Sequence, residues 1–170
     1  MGTSASFVLI RGAHLSLEDV QSIADDLGLP VTWWSLLDGD SAFAQVVAVR
    51  GLGPARSPGR PPADLSWRWG GPHDPVLALA RWLTGRVSDP VLLLAFSTRS
   101  SVSEVHLLRG GCSLEYDYAD GASDHEEHAQ RWLERFLDRG EPLLVERILD
   151  AENGDDWCPA GAIEVWPREA

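Results

Sequence analysis

Lysine is absent from this chain of 170 residues, so all fourteen of its basic side chains are arginine. Those arginines are scattered among equal or greater negative charge and form no basic stripe beside exposed aromatics, which argues against nucleic-acid binding. Cysteine is nearly missing too: Cys112 and Cys158 are the two present. That excludes a disulfide-stapled scaffold, and because Cys112 alternates with residues expected to face the core, a buried thiol is the expectation. No apolar run approaches twenty residues, so no transmembrane helix and no membrane partner are expected. The opening stretch MGTSASFVLIRG lacks a basic leader and a long apolar segment, which makes cytoplasmic residence the expectation.

Catalytic motifs are also lacking. No G-x-S-x-G context surrounds a serine. The Pro/Gly/Arg-rich stretch 51–64 has neither the glycine spacing nor the Lys-Ser/Thr pair of a phosphate-binding loop, although Arg56 and Arg60 lie in it. His125 and His128 are three residues apart and do not form the HExxH zinc motif. Acidic residues at the start of a helix account for that cluster through the helix dipole, so no metal and no cofactor are expected.

What the chain does have is an uneven distribution of charge. Residues 1–114 carry ten acidic side chains against nine arginines, whereas residues 115–170 carry sixteen against five, a net of −11 out of −12. Such a field repels nucleic acid and anionic membrane and attracts basic proteins or cations. The plainer reading is a solvated, soluble surface.

Hydrophobic periodicity supplies the elements. Strands are expected at 6–11, 91–96, 103–109 and 112–118, where Cys112, Leu114, Tyr116 and Tyr118 alternate with polar residues. Residues 31–50 read as a hairpin around Asp38-Gly39, with Trp33 and Trp34 on opposite faces. Leu65, Trp67 and Trp69 suggest a short strand, 143–150 is read as a strand, and 162–166 as a terminal one. Helices are expected at 16–27, 75–84 and 124–138. Ser16 and Asp74 are their proposed N-caps, Ser123 and Glu126 a capping box, and Gly28, Gly85 and Gly140 their stops. In the third helix, Ala129, Trp132, Leu133 and Phe136 repeat at core spacing, which makes Trp132 a core residue.

The expected fold is therefore α+β: a single domain over 1–170, with a largely antiparallel β-sheet packed against about three helices and a loop at 51–64. Carboxylate pairs drawn from Glu104, Glu115 and Asp117, or a Cys112–His106 nucleophile, require side chains that a one-residue change of register separates. The leading functional expectation is non-enzymatic: a small acidic interaction module, of the immunity or inhibitor kind, that blocks a basic partner such as a toxin or nuclease. Glu115, Asp117, Glu127 and Glu134, with Trp34 as an aromatic anchor, are its expected partner-binding residues. The competing expectation is an enzyme or small-ligand binder with a cleft between the sheet and the 51–64 loop.

Overall fold

Phe7, Val8, Leu9 and Ile10 alternate across a strand, so a chain that buries all four must cover both faces of its sheet. The structure, a computed structural model, does so. It describes residues 4–12, 16–29, 31–38, 41–50, 75–97, 101–121, 124–140, 145, 148 and 162–164. The elements in chain order are β1 (Ser4–Arg11), α1 (Leu17–Leu27), β2 (Val31–Asp38), β3 (Ser41–Arg50), α2 (Pro75–Thr84), β4 (Val91–Ser97), β5 (Val102–Arg109), β6 (Cys112–Asp120), α3 (Asp124–Leu137) and β7 (Ala162–Glu164). The strands form one sheet in the order β6-β5-β4-β1-β3-β2-β7. Every neighbouring pair is antiparallel.

The helices divide between the two faces. Val20 and Ala24 of α1 and Val76, Leu79, Ala80 and Leu83 of α2 pack with Val8, Ile10, Trp33, Val47 and Leu93. On the other face Ala129, Trp132, Leu133, Phe136 and Leu137 of α3 pack with Phe7, Leu9, Leu92, Leu94, Phe96 and Val105. Each large apolar side chain so buried stabilises the fold by roughly 1.5–3 kcal/mol. Double cover explains why β4 reads as an unbroken apolar run: all seven of its residues are buried. Trp33 enters the α1/α2 side of this core.

Local sequence sets the ends of most elements. Gly28 closes α1 in the left-handed region, at φ 68° and ψ 30°, and its N–H reaches back into the last turn. Gly110 and Gly111, both at positive φ, form the two-residue connection between Arg109 and Cys112; tight β-hairpins favour such residues. The Gly111 N–H donates to Thr84 Oγ1 at 2.8 Å, tying that turn to the end of α2.

Four expectations need correction. Ser16 stands at the N-cap of α1 in an extended conformation, but its side chain makes no capping bond. The helix α3 ends at Leu137, with Asp138 at φ 54°, two residues before Gly140; aspartate is among the few residues that tolerate that region. Residues 143–150 are not a strand where described: Val145 and Ile148 are both helical and buried. Their spacing of three puts both on one helical face against the α3 core, whereas a strand would turn them to opposite sides. The Val145 N–H donates to Gln130 Oε1 at 3.0 Å, fastening this segment to α3.

Cys112 is the fourth correction: it is exposed and free, not buried. The pairing of β5 with β6 runs Leu107–Glu115 and then Leu108–Ser113, so Leu114 is an extra, bulged residue. A bulge breaks strict alternation, which separates Cys112 and Leu114 from the face shared by Tyr116 and Tyr118. Leu114 is left 44% exposed. The 51–64 loop, the strand expected at 65–69, Asp74, Gly39, Ser123 and Cys158 lie outside the described residues. Among the described residues, no helix is long and apolar enough to cross a membrane.

Candidate functional site

Strand β6 is one edge of the sheet, and α3 packs across the face beside it. Register decides which acidic side chains meet that helix. Asp117 pairs with Val105 and Glu115 with Leu107, which turns both carboxylates toward the α3 side. Glu115 Oε1 accepts from Arg135 Nη2 at 2.8 Å, in an exposed ion pair. The Arg135 guanidinium also lies 4.7 Å from the centre of the Trp132 ring. Glu115 raises the already high pKa of Arg135 through that hydrogen bond, against a smaller opposing effect of burial.

Asp117 gathers more partners. Its Oδ2 accepts the indole N–H of Trp132 at 2.8 Å, and Oδ1 accepts the backbone N–H of Tyr118 at 2.9 Å. His128 Nε2 stands 2.9 Å from the same Oδ2, and His128 Nδ1 is 2.9 Å from Ser103 Oγ. Burial alone would raise the pKa of Asp117, but the hydrogen bonds from Trp132, His128 and Tyr118 together hold it below the usual carboxylate value. Burial lowers the pKa of His128 by more than Asp117 restores, and nearby Arg131 adds to the lowering. On a neutral ring with its proton on Nε2, Nδ1 accepts from Ser103, while Nε2 lies close to Asp117 Oδ2 without the alignment of a full hydrogen bond.

Ser103, His128 and Asp117 thus line up like a hydrolytic triad, but in the wrong direction for catalysis. Ser103 is fully buried while the carboxylate faces solvent. A nucleophile must be reached by its substrate, and here only the acidic end is accessible. The chemistry of the line is structural: it joins β5, β6 and α3 through paired polar groups.

The other expected site residues fall as follows. Glu127 is exposed near the start of α3, beside exposed Asp124 and Glu126, and Glu134 is half-buried further along the helix. The backbone of Trp34 pairs with Val46 and Glu164; its side chain lies outside the described residues. His125 is buried, with Nδ1 2.8 Å from the Gly121 carbonyl oxygen and its ring 5.0 Å from that of Phe96. Among the described residues, no three His, Cys, Asp or Glu side chains gather as metal ligands.

The carboxylate pairing that joined Glu104 to Glu115 or Asp117 is overturned by register. Glu104 pairs with Tyr118 and points to the opposite side of the sheet from Asp117. The Cys112–His106 pairing fails in the same way: His106 lies opposite Tyr116 and is fully buried, while Cys112 pairs with Arg109 and is exposed. Instead, Tyr116 Oη donates to Glu104 Oε2 at 2.5 Å, His106 Nε2 is 3.7 Å from Glu104 Oε1, and the His106 and Tyr116 rings meet tilted at 56° with centres 4.9 Å apart. Tyr118 beside them has its pKa raised, first by burial and then by the Asp120 and Glu104 charges. Sequence reading missed this cluster. Its one signal is two ionisable residues, Glu104 and His106, at alternate positions of a strand whose Val102, Val105, Leu107 and Leu108 are apolar.

The class these observations define is an antiparallel α/β/α sheet protein with an acidic edge. No family model matches the chain, and neither a curated protein nor a solved structure matches it.

Proposed function

We propose that this protein is an acidic interaction module that receives a basic protein partner on β6 and the first turns of α3, as an inhibitor or immunity protein would. One observation carries the reading: Asp117, Asp120, Asp124, Glu126 and Glu127 are all exposed along one continuous stretch of chain at the edge of the sheet. Charge of one sign concentrated on an edge steers a partner of the other sign and accelerates its association. Glu115 is partly neutralised by Arg135, and Asp117 is held by Trp132 and His128, so Glu126 and Glu127 of α3 are the stronger candidates for first contact. Glu126 and Glu127 therefore carry more of this proposal than Glu115 does.

The test begins with affinity capture from the source cell and identification of any basic protein retained. Association rates are then measured across a salt series for the native protein and for the double variant Glu126→Arg/Glu127→Arg. Slower association of the variant, with the native rate falling as salt rises, supports the reading. Capture of acidic proteins only, or rates indifferent to salt and to the two reversals, removes it.

A further inference from the structure

Strand β6 ends the sheet: among the described residues it has a neighbouring strand, β5, on one side only. None of its residues is buried, whereas every residue of β4 is. In an antiparallel pair, alternate residues turn their backbone N–H and C=O toward the neighbour and the others turn theirs away. The Gly121 N–H donates to the Ser101 carbonyl oxygen at 2.9 Å, so the backbone of Gly121 faces β5, and those of Ala119 and Asp117 follow it at alternate positions. Tyr118 and Asp120 therefore point their backbone groups out of the sheet. The Tyr118 N–H accordingly donates not to β5 but to the adjacent side chain, Asp117 Oδ1, at 2.9 Å.

An open edge of this kind is a template for another strand. Its charge decides which strand. Glu115, Asp117 and Asp120 lie along it, Glu126 and Glu127 follow on α3, and no arginine occurs between Arg109 and Arg131. Like charges opposed across a strand pair are destabilising, so the edge disfavours a second copy of itself. Opposite charges stabilise the same geometry, and a basic strand is the occupant it suits. Asp117 is also placed to exchange partners. Its side chain is 49% exposed, and its Oδ1 holds the N–H that an added strand would bond. A carbonyl of that strand can take the Tyr118 N–H, which releases Oδ1 to an incoming guanidinium or ammonium group.

Resting on the reading of this protein as an acidic interaction module, we propose that its partner docks by strand addition, an extended basic segment pairing antiparallel with β6 around Tyr118. Residues directly opposite one another share a face of the sheet, so a basic side chain meets Asp117 on the α3 side. The residues flanking it are apolar and lie on the Tyr118 side. Those apolar residues, opposite the outward-facing backbone, carry the N–H and C=O groups that bond β6, and the basic residues turn theirs to water.

A short peptide of alternating arginine and valine tests this, against a peptide of the same composition in two blocks and an alternating glutamate–valine peptide. The readout is amide hydrogen exchange at Tyr118 and Asp120, followed by NMR. The arginine–valine peptide should slow exchange at both positions saturably, by about tenfold, and less so at high salt. N-methylation of its valines should abolish the effect, whereas N-methylation of its arginines should leave most of it. Equal binding of the alternating and block peptides, without slowed exchange at Tyr118, overturns strand addition and leaves the acidic-module reading standing. Slowing by the glutamate–valine peptide overturns the choice of a basic strand, and that reading with it. Slowing that grows with protein concentration alone overturns the proposal in favour of a second copy, and failure of every peptide to slow exchange at Tyr118 overturns it outright.

Discussion

His128 Nε2 lies 2.9 Å from Asp117 Oδ2, yet the imidazole is 3% exposed and the carboxylate 49%. The pair therefore has one end in the core and one in water. Burial favours a neutral ring, while the hydrogen bonds converging on the carboxylate favour its charge.

Acid should destabilise the fold in two stages. The folded His128 titrates below the 6.5 of an unperturbed ring. As pH falls through 6.5 the unfolded chain gains a proton that the folded ring resists, so stability declines until the lower folded pKa is passed. Asp117 acts further down: its folded pKa lies below 3.8, and the stability it contributes above 3.8 is lost as pH falls through the folded value. Denaturant midpoints at pH 8, 6 and 5 should fall less for His128→Gln than for the native chain. Identical pH dependence in the two would show that His128 is not the group responsible.

Trp132 has separable apolar and polar roles. Its ring packs in the α3 core and its N–H donates to Asp117. Trp132→Ala removes both and should cost about 3–5 kcal/mol, which is a large part of the stability of a small domain. Trp132→Phe keeps most of the packing and should cost about 1 kcal/mol for the lost hydrogen bond, while the pKa of Asp117 rises. Denaturant unfolding checks the first pair of values and carboxylate NMR the second. A Trp132→Ala chain of native stability would place this face of α3 outside the core.

Gly28 is a conformational rather than a packing requirement. It sits at φ 68°, and a Cβ placed there would meet nothing within 4 Å. Gly28→Ala should therefore lose about 1 kcal/mol from backbone strain, and Gly28→Asn should lose less, since asparagine visits the left-handed region more readily. Thermal unfolding of the two variants distinguishes them. Equal stability of all three chains would contradict the strain.

Several parts of this structure were legible in the residues alone because their causes are local. The period of Ala129, Trp132, Leu133 and Phe136 defines a helix and its buried side whatever surrounds it. Gly28 followed by Pro30 ends one helix by backbone chemistry, and Val91 to Phe96, an unbroken apolar run of strand length flanked by Pro90 and Ser97, reads as a buried strand. The antiparallel course of β4, β5 and β6 followed from connections too short for a crossover. The acidic bias of residues 115–170 is simple arithmetic on the sequence.

The tertiary structure decided what depends on distant partners. Strand order brings β1 between β3 and β4, although β1 is far from both in sequence. Register, set by that packing, sends Glu104 and Asp117 to opposite sides of the sheet, and a bulge at Leu114 exposes Cys112. Val145 and Ile148 are helical because α3 offers them a common apolar face, a contact no window of eight residues contains. A side-chain period of two makes each strand sensitive to a one-residue shift, and that shift is settled by contacts across the sheet rather than along the chain.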